Sequence, residues 1–120
     1  MKNQPFTSRL GFALGGIFFA LHSERSFRLH VAAVVGMAVV LVWMRPAPLW
    51  WAVVALACAA VLAAELVNTA IEQLADHLHP ESHRGIQRVK DCAAAAVLVA
   101  SIGALAVAAA FAFELMVGFG

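Results

Sequence analysis

The sequence predicts an all-α integral-membrane protein with three transmembrane helices and an N-terminal amphipathic surface helix. Hydrophobic residues make up 63% of the 120 residues and charged residues only 12%, whereas soluble domains average about 25% charged residues. Three long stretches carry no charge, at residues 29–44, 46–64 and 92–113, and about 20 apolar residues are needed to cross a bilayer. The alternating pattern of a membrane β-barrel is missing, so we expect helices.

Composition also limits the classes of function. Eight Lys and Arg residues against seven Asp and Glu residues leave a net charge of +1, which gives no basic field to hold a nucleic acid. Cys58 and Cys92 have no zinc-site spacing, so we interpret them as small apolar residues. We expect a single membrane domain over residues 1–120, without a nucleic-acid partner.

The N-terminal helix is predicted over residues 6–23, where apolar side chains recur every three or four residues. These side chains are Phe6, Leu10, Ala13, Leu14, Ile17 and Leu21. One apolar face of this kind is typical of a helix lying on the cytoplasmic leaflet. A signal peptide is the alternative, because Lys2 and Arg9 precede an apolar run, but no A-x-A cleavage site follows, so we expect no cleavage.

The three spans are separated by one tight turn and one longer polar loop. The predicted spans are residues 27–45, 49–78 and 86–117. Pro46 and Pro48 break the helix between the first two spans, and tryptophans stand on both sides of this turn, as in an interfacial belt. Pro80 and Gly85 mark the second loop.

Positive charges near the spans lie mainly on one side. That side carries Lys2, Arg9, Arg25, Arg28, Arg84, Arg88 and Lys90. The opposite side carries only Arg45. The positive-inside rule therefore predicts a cytoplasmic N-terminus, a cytoplasmic second loop and a C-terminus outside.

The second span carries a polar stripe made of Glu65, Asn68, Glu72 and Asp76. Spacings of three, four and four residues place them on one helix face. Glu65 is expected inside the hydrocarbon, where a carboxylate is costly and indicates function, while Asp76 could be an ordinary solvated helix end. A desolvated carboxylate suits proton abstraction from a hydroxyl in the membrane, and one nearer water suits Mg²⁺.

The polar residues beyond this stripe allow more than one interpretation. Lys90 could be an interfacial anchor, or it could balance the carboxylates or hold a phosphate. His77, His79 and His83 lie in a loop without regular ligand spacing, and we expect no transition-metal site there.

The stripe residues also carry a resemblance to a known family. The string E-L-V-N-T-A-I-E at residues 65–72, followed by Asp76 and then by Lys90 and Asp91, resembles the prokaryotic diacylglycerol kinase family, which includes undecaprenol kinases. Residues 24–30, E-R-S-F-R-L-H, are similar to the family's segment before the first span. The phosphate-binding motifs of soluble kinases are missing from the sequence.

The resemblance implies a lipid kinase of the bacterial cytoplasmic membrane that uses ATP and Mg²⁺ and assembles as a homotrimer with shared active sites. Its substrate would be a membrane lipid alcohol, with diacylglycerol converted to phosphatidic acid. Glu65 would be the catalytic base and Asn68 would orient it or the phosphate. Glu24 and Glu72 would hold the metal on the ATP phosphates, and Lys90 would neutralise phosphoryl charge. The implied nucleotide-binding residues are Phe12, Glu24, Glu72, Glu81, Ser82, His83, Lys90 and Asp91.

Departures from the family pattern keep alternatives open. His30 stands where enterobacterial diacylglycerol kinases carry a carboxylate, Gly15 stands where they carry a lysine, and Thr69 replaces a serine. His30 and Thr69 look more like the undecaprenol kinase branch, so undecaprenol is the alternative substrate. A small channel or transporter is an alternative of another class, but between Cys92 and Phe113 the third span offers only Ser101 as a polar residue. A purely structural subunit is a further alternative.

Overall fold

A computed structural model describes residues 3–118 of the chain as four helices. In chain order they are α1 (Phe6–Ser23), α2 (Arg25–Met44), α3 (Pro48–Leu78) and α4 (Arg84–Gly118). The prediction of an all-helical chain is confirmed, and α2, α3 and α4 are each long and apolar enough to cross a membrane. Lys2, which contributes to the predicted charge asymmetry, lies outside the described residues.

A single extended residue separates α1 from α2. Glu24 has φ −118° and ψ 110°, so the helix axis changes direction there. Arg28 fastens the junction, because its Nη1 donates to the carbonyl oxygens of Leu21 at 2.8 Å and His22 at 3.1 Å. A cation at the carboxyl end of a helix also interacts favourably with the helix dipole. The first turn of α2 is thus tied to the last turn of α1.

Most of α1 is not covered by the rest of the chain. Only Ala20 is buried in this helix. The apolar side chains of Phe6, Leu10, Leu14 and Ile17 are exposed. The position of α1 on the bilayer surface stays a prediction.

The turn between α2 and α3 occupies residues 45–47. Arg45 ends α2 in the left-handed conformation, with φ 48°, and its N–H bonds the carbonyl of Leu41 at 2.9 Å. Pro48 is the first residue of α3, whereas the sequence predicted a span that begins at residue 49. A proline fits the first position of a helix because the N–H that it lacks would have no helical partner there.

The length of α3 exceeds the thickness of a bilayer core. Its 31 residues correspond to about 46 Å at about 1.5 Å per residue, against about 30 Å of hydrocarbon. With Pro48 at one membrane boundary, the last three turns of α3 extend beyond the other. The helix therefore carries its polar stripe from the membrane interior out to the aqueous side.

The core lies towards the end of the spans next to the turn at residues 45–47. It contains one buried side chain from each span, Leu41, Val54 and Phe111. The Trp50 ring packs on Phe111 with 5.2 Å between ring centroids, and Trp50 Nε1 donates to Glu114 Oε2. At the level of the backbone, α3 contacts both α2 and α4, whereas α2 and α4 do not approach each other within residues 3–118. The spans therefore form a row with α3 in the middle.

We expect Phe111→Ala to destabilise the protein more than Phe113→Ala. Phe111 is 3% exposed and Phe113, on the same helix, is 68% exposed. Removing the buried ring should lower the free energy of unfolding by about 2 kcal/mol through lost packing. This loss is smaller than in a soluble core, because transfer of the side chain from water contributes little in a bilayer. Thermal unfolding of both variants in the same detergent measures the difference, and equal losses would contradict this core assignment.

Candidate active site

The site is centred on Glu65, a carboxylate of α3 that is only 3% exposed. Its Oε1 accepts a hydrogen bond from Ser26 Oγ at 2.7 Å. Nδ1 of His30 lies 2.7 Å from the same oxygen, although its direction of approach falls outside hydrogen-bond geometry. Two polar side chains of α2 thus meet one oxygen of one carboxylate on α3.

Helix geometry explains why α2 supplies both contacts. Ser26 and His30 are four residues apart, and this spacing places side chains on the same helix face, one turn from each other. Phe27 is 2% exposed, so the first turn of α2 is anchored by a buried ring beside these polar groups. The face that carries Ser26 and His30 is consequently held against α3.

Depth in the membrane sets the electrostatics of Glu65. The residue follows Pro48 by 17 positions, which corresponds to about 26 Å along the helix. Counted from a membrane boundary at Pro48, this distance places Glu65 just inside a hydrocarbon core of about 30 Å. A buried carboxylate is costly unless polar groups contact it, and Ser26 and His30 provide such contacts.

Asn68 and Thr69 add buried polar atoms next to Glu65. Asn68 Nδ2 donates to Glu72 Oε1 across 3.4 Å, a long and weak hydrogen bond. Within residues 3–118, Asn68 Oδ1 and Thr69 Oγ1 are buried without hydrogen-bond partners. Since such a group costs about 1–3 kcal/mol when left unpaired, these atoms are suited to a partner that the single chain does not supply.

Lys90 is held at the aqueous end of the stripe. Its Nζ lies 2.5 Å from Asp76 Oδ1 and forms an ion pair between α4 and α3. On α4, next to Lys90 in the sequence, Asp91 accepts a hydrogen bond from Gln87 Nε2 on its Oδ1 at 2.9 Å. An exposed pair of this kind contributes little to stability, so its main effect is to fix a positive charge beside the row of carboxylates.

The remaining predicted residues lie apart from this cluster. Phe12 on α1 is exposed, and so are Glu81, Ser82 and His83 in the loop before α4. His83 Nδ1 accepts the N–H of Gly85 at 3.1 Å, and a Cβ at Gly85 would lie 3.2 Å from the His83 ring. Across the described part of the chain, no hydrogen bond joins these residues to the stripe on α3.

Two half-buried carboxylates, Glu24 and Glu72, are the candidates for a metal. Residues 3–118 contain no group of three or more His, Cys, Asp or Glu side chains that could hold a metal ion. Mg²⁺ is commonly bound by one or two carboxylates together with substrate phosphates and water. By this chemistry each carboxylate suits Mg²⁺ that arrives with a nucleotide, and residues 3–118 do not provide an all-protein metal cage.

The sequence pattern picked out Glu65 but missed the two α2 residues in contact with it. In the sequence, Ser26 was noted only as part of the motif before the first span. His30 was used only to compare diacylglycerol with undecaprenol as the substrate. The available signal was their four-residue spacing at the end of a span that the second span must pack against.

Known proteins resemble this chain over most of its length. Residues 11–112 match the family model of prokaryotic diacylglycerol kinase. The chain is 34% identical over 97 residues to a protein of Synechocystis named diacylglycerol kinase, covering 80% of this chain and 55% of that relative. It is also 30% identical over 87 residues to the undecaprenol kinase of Bacillus subtilis, covering 72% of this chain and 71% of that protein. The family match spans well over half of the sequence, and the chain therefore belongs to the prokaryotic diacylglycerol kinase family.

Proposed function

We propose that the protein is an ATP-dependent lipid kinase that transfers the γ-phosphate to the hydroxyl of diacylglycerol and gives phosphatidic acid. The observation that carries this proposal is the buried carboxylate of Glu65, which is contacted by Ser26 and His30 at the inner edge of the membrane. A lipid hydroxyl reaches this depth from within the bilayer, while ATP approaches from the adjacent aqueous side. The family supports a phosphotransferase acting on a lipid.

The reaction is a direct phosphoryl transfer. The oxygen of the lipid hydroxyl forms a bond to the γ-phosphorus, and Glu65 accepts the proton that this hydroxyl loses. The bond between the γ-phosphorus and the oxygen bridging to the β-phosphate breaks, and ADP leaves with that electron pair. Positioning and electrostatic stabilisation supply most of the rate in such transfers.

In this proposal, three charged residues help to neutralise the negative charge of the ATP phosphates, two of them through a metal ion. Glu24 and Glu72 would hold Mg²⁺, which would offset negative charge on the ATP phosphates. Lys90 neutralises phosphoryl charge in this proposal, and in the structure it is paired with Asp76 at the aqueous end of the stripe. Asn68, whose amide donates to Glu72, orients the base Glu65 or the phosphate in this proposal. The further nucleotide contacts in this proposal are Phe12, Glu81, Ser82, His83 and Asp91.

We propose a homotrimer in which neighbouring chains complete the site, with the N-terminus and the second loop in the bacterial cytoplasm. Unpartnered atoms of Asn68 and Thr69 support a partner from outside the chain. The exposed small residues Ala59, Ala60 and Ala63 on α3 leave room for the helix of another copy.

Undecaprenol is the second candidate substrate. His30 and Thr69 look like the undecaprenol kinase branch, and both lie at the site, His30 against Glu65 and Thr69 one turn further along α3. The similarity to an undecaprenol kinase over 72% of the chain supports the same alternative.

An assay on the purified protein in mixed micelles separates these candidates. We expect Mg²⁺-dependent transfer of label from γ-labelled ATP to diacylglycerol, with a Glu65→Gln preparation as the control for contaminating kinases. Transfer to undecaprenol alone would assign the protein to the second candidate. Transfer to neither lipid by a folded sample would overturn the kinase assignment in favour of a transport or assembly role.

A further inference from the structure

The two oxygens of Glu65 differ in their surroundings. Ser26 and His30 both meet Oε1, at 2.7 Å each. Within residues 3–118, no side chain donates a hydrogen bond to Oε2. The contacts therefore make the two oxygens, which are chemically equivalent in a free carboxylate, unequal.

This difference matters for a base that must meet a hydroxyl in one orientation. The terminal torsion of a glutamate side chain is broad and roughly two-fold, so an unrestrained carboxylate samples many orientations of its lone pairs. Contacts on Oε1 from two positions of α2 restrict that torsion. Misplacing a reacting group by about 1 Å can lower a rate by about 10²-fold.

His30 also borders an apolar space in the membrane. Its ring forms part of the wall of a cavity of about 320 Å³ between α2, α3 and α4. Most of that wall is made of Ala, Val, Leu and Met side chains. Ser101 is the other polar residue of the wall, and the ring of His30 connects this cavity with the carboxylate of Glu65.

We infer that Ser26 and His30 are positioning residues that hold Oε1 of Glu65 and leave Oε2 as the oxygen that takes the lipid proton. Ser26 donates its hydroxyl to Oε1, and Nδ1 of His30, in the tautomer that carries its proton there, lies 2.7 Å from the same oxygen. Neither side chain reacts. This role rests on the proposed function of Glu65 as the base.

The first test compares His30→Leu with His30→Asn. Leucine keeps the apolar wall but removes the donor, and we expect kcat to fall about 10- to 100-fold with the KM for ATP changed less than about two-fold. Asparagine places an amide N–H near the position of Nδ1 and should restore most of the loss. Ser26→Ala should show the same split between kcat and KM. Equal losses in the leucine and asparagine variants would overturn the positioning role.

The chain offers matched controls for these substitutions. His22 and Ser23 bond the carbonyl oxygens of Phe18 and Phe19, one turn back along their own helix, and both are exposed. His22→Leu and Ser23→Ala should therefore retain the kcat of the unaltered protein. If kcat fell to a similar extent in these controls, the losses would be due to disturbance of the junction of α1 and α2. That result would overturn the inference.

A double-mutant cycle and an infrared measurement distinguish positioning from packing. In a Glu65→Gln background, His30→Leu should lower the residual kcat by less than about two-fold, because coupled residues are not additive.

The infrared carboxylate band that Glu65→Gln removes should shift in His30→Leu and return to its original position in His30→Asn. An unshifted band overturns the contact whatever the activity. If the band shifts but the protein phosphorylates no lipid, the contact between His30 and Glu65 is supported. The catalytic role of that contact is then overturned together with the proposed function.

Discussion

Replacing Glu65 by glutamine is expected to lower kcat for lipid phosphorylation by about 10²- to 10⁴-fold, the range typical of removing a general base. The amide keeps the shape of the side chain and an oxygen that can accept the Ser26 hydroxyl. It cannot take a proton from the lipid. Nucleotide affinity should change little, because Glu65 lies inside the membrane and the proposed nucleotide contacts lie at its aqueous side. Initial rates with varied ATP, together with nucleotide binding to the same variant, test both parts.

Glu114→Gln is the matched control for this substitution. Glu114 is a carboxylate of α4 that accepts the indole N–H of Trp50, in the region of the core and far from the stripe on α3. The same chemical change there should leave kcat unaltered. An unchanged rate in Glu65→Gln would remove Glu65 as the base. A comparable loss in Glu114→Gln would point to general damage.

Replacing Glu24 or Glu72 by alanine is expected to raise the Mg²⁺ concentration needed for half-maximal activity by roughly 10-fold or more. Proteins commonly bind Mg²⁺ through only one or two carboxylates, so the loss of one of them should weaken Mg²⁺ binding strongly. Excess Mg²⁺ should recover much of the rate, because the base remains in place. Magnesium titrations of the initial rate at fixed ATP measure this shift.

The residual activity of Glu65→Gln provides the comparison for the magnesium titrations. Its rate should be low, but its Mg²⁺ midpoint should match that of the unaltered protein, since Glu65 is not a metal ligand in the proposal. Normal magnesium dependence in both Glu24→Ala and Glu72→Ala would contradict the metal role of these residues. A shift in only one of them would assign the metal to that carboxylate.

The helices could be predicted from the sequence because each depends on local information. Long apolar runs define the spans, and the spacing of Glu65, Asn68 and Glu72 defines one face of α3 without knowledge of any neighbour. The start of α3 differed by one residue because Pro48 can occupy the first position of a helix as well as a turn.

Contacts between helices were harder to predict. Ser26 and Glu65 are 39 residues apart, and which faces meet depends on how α2 and α3 are rotated about their axes. Such rotation follows from packing against neighbours rather than from periodicity.

The row arrangement of the spans has a consequence for how the protein is made. Close backbone approaches join α1 to α2, α2 to α3 and α3 to α4, with α1 also meeting α3. Each helix can therefore dock on one that was synthesised before it, without waiting for a distant segment. Proteins dominated by such local contacts have low contact order and fold rapidly. Insertion can proceed helix by helix, and the pairing of Ser26 and His30 with Glu65 can form before α4 leaves the ribosome.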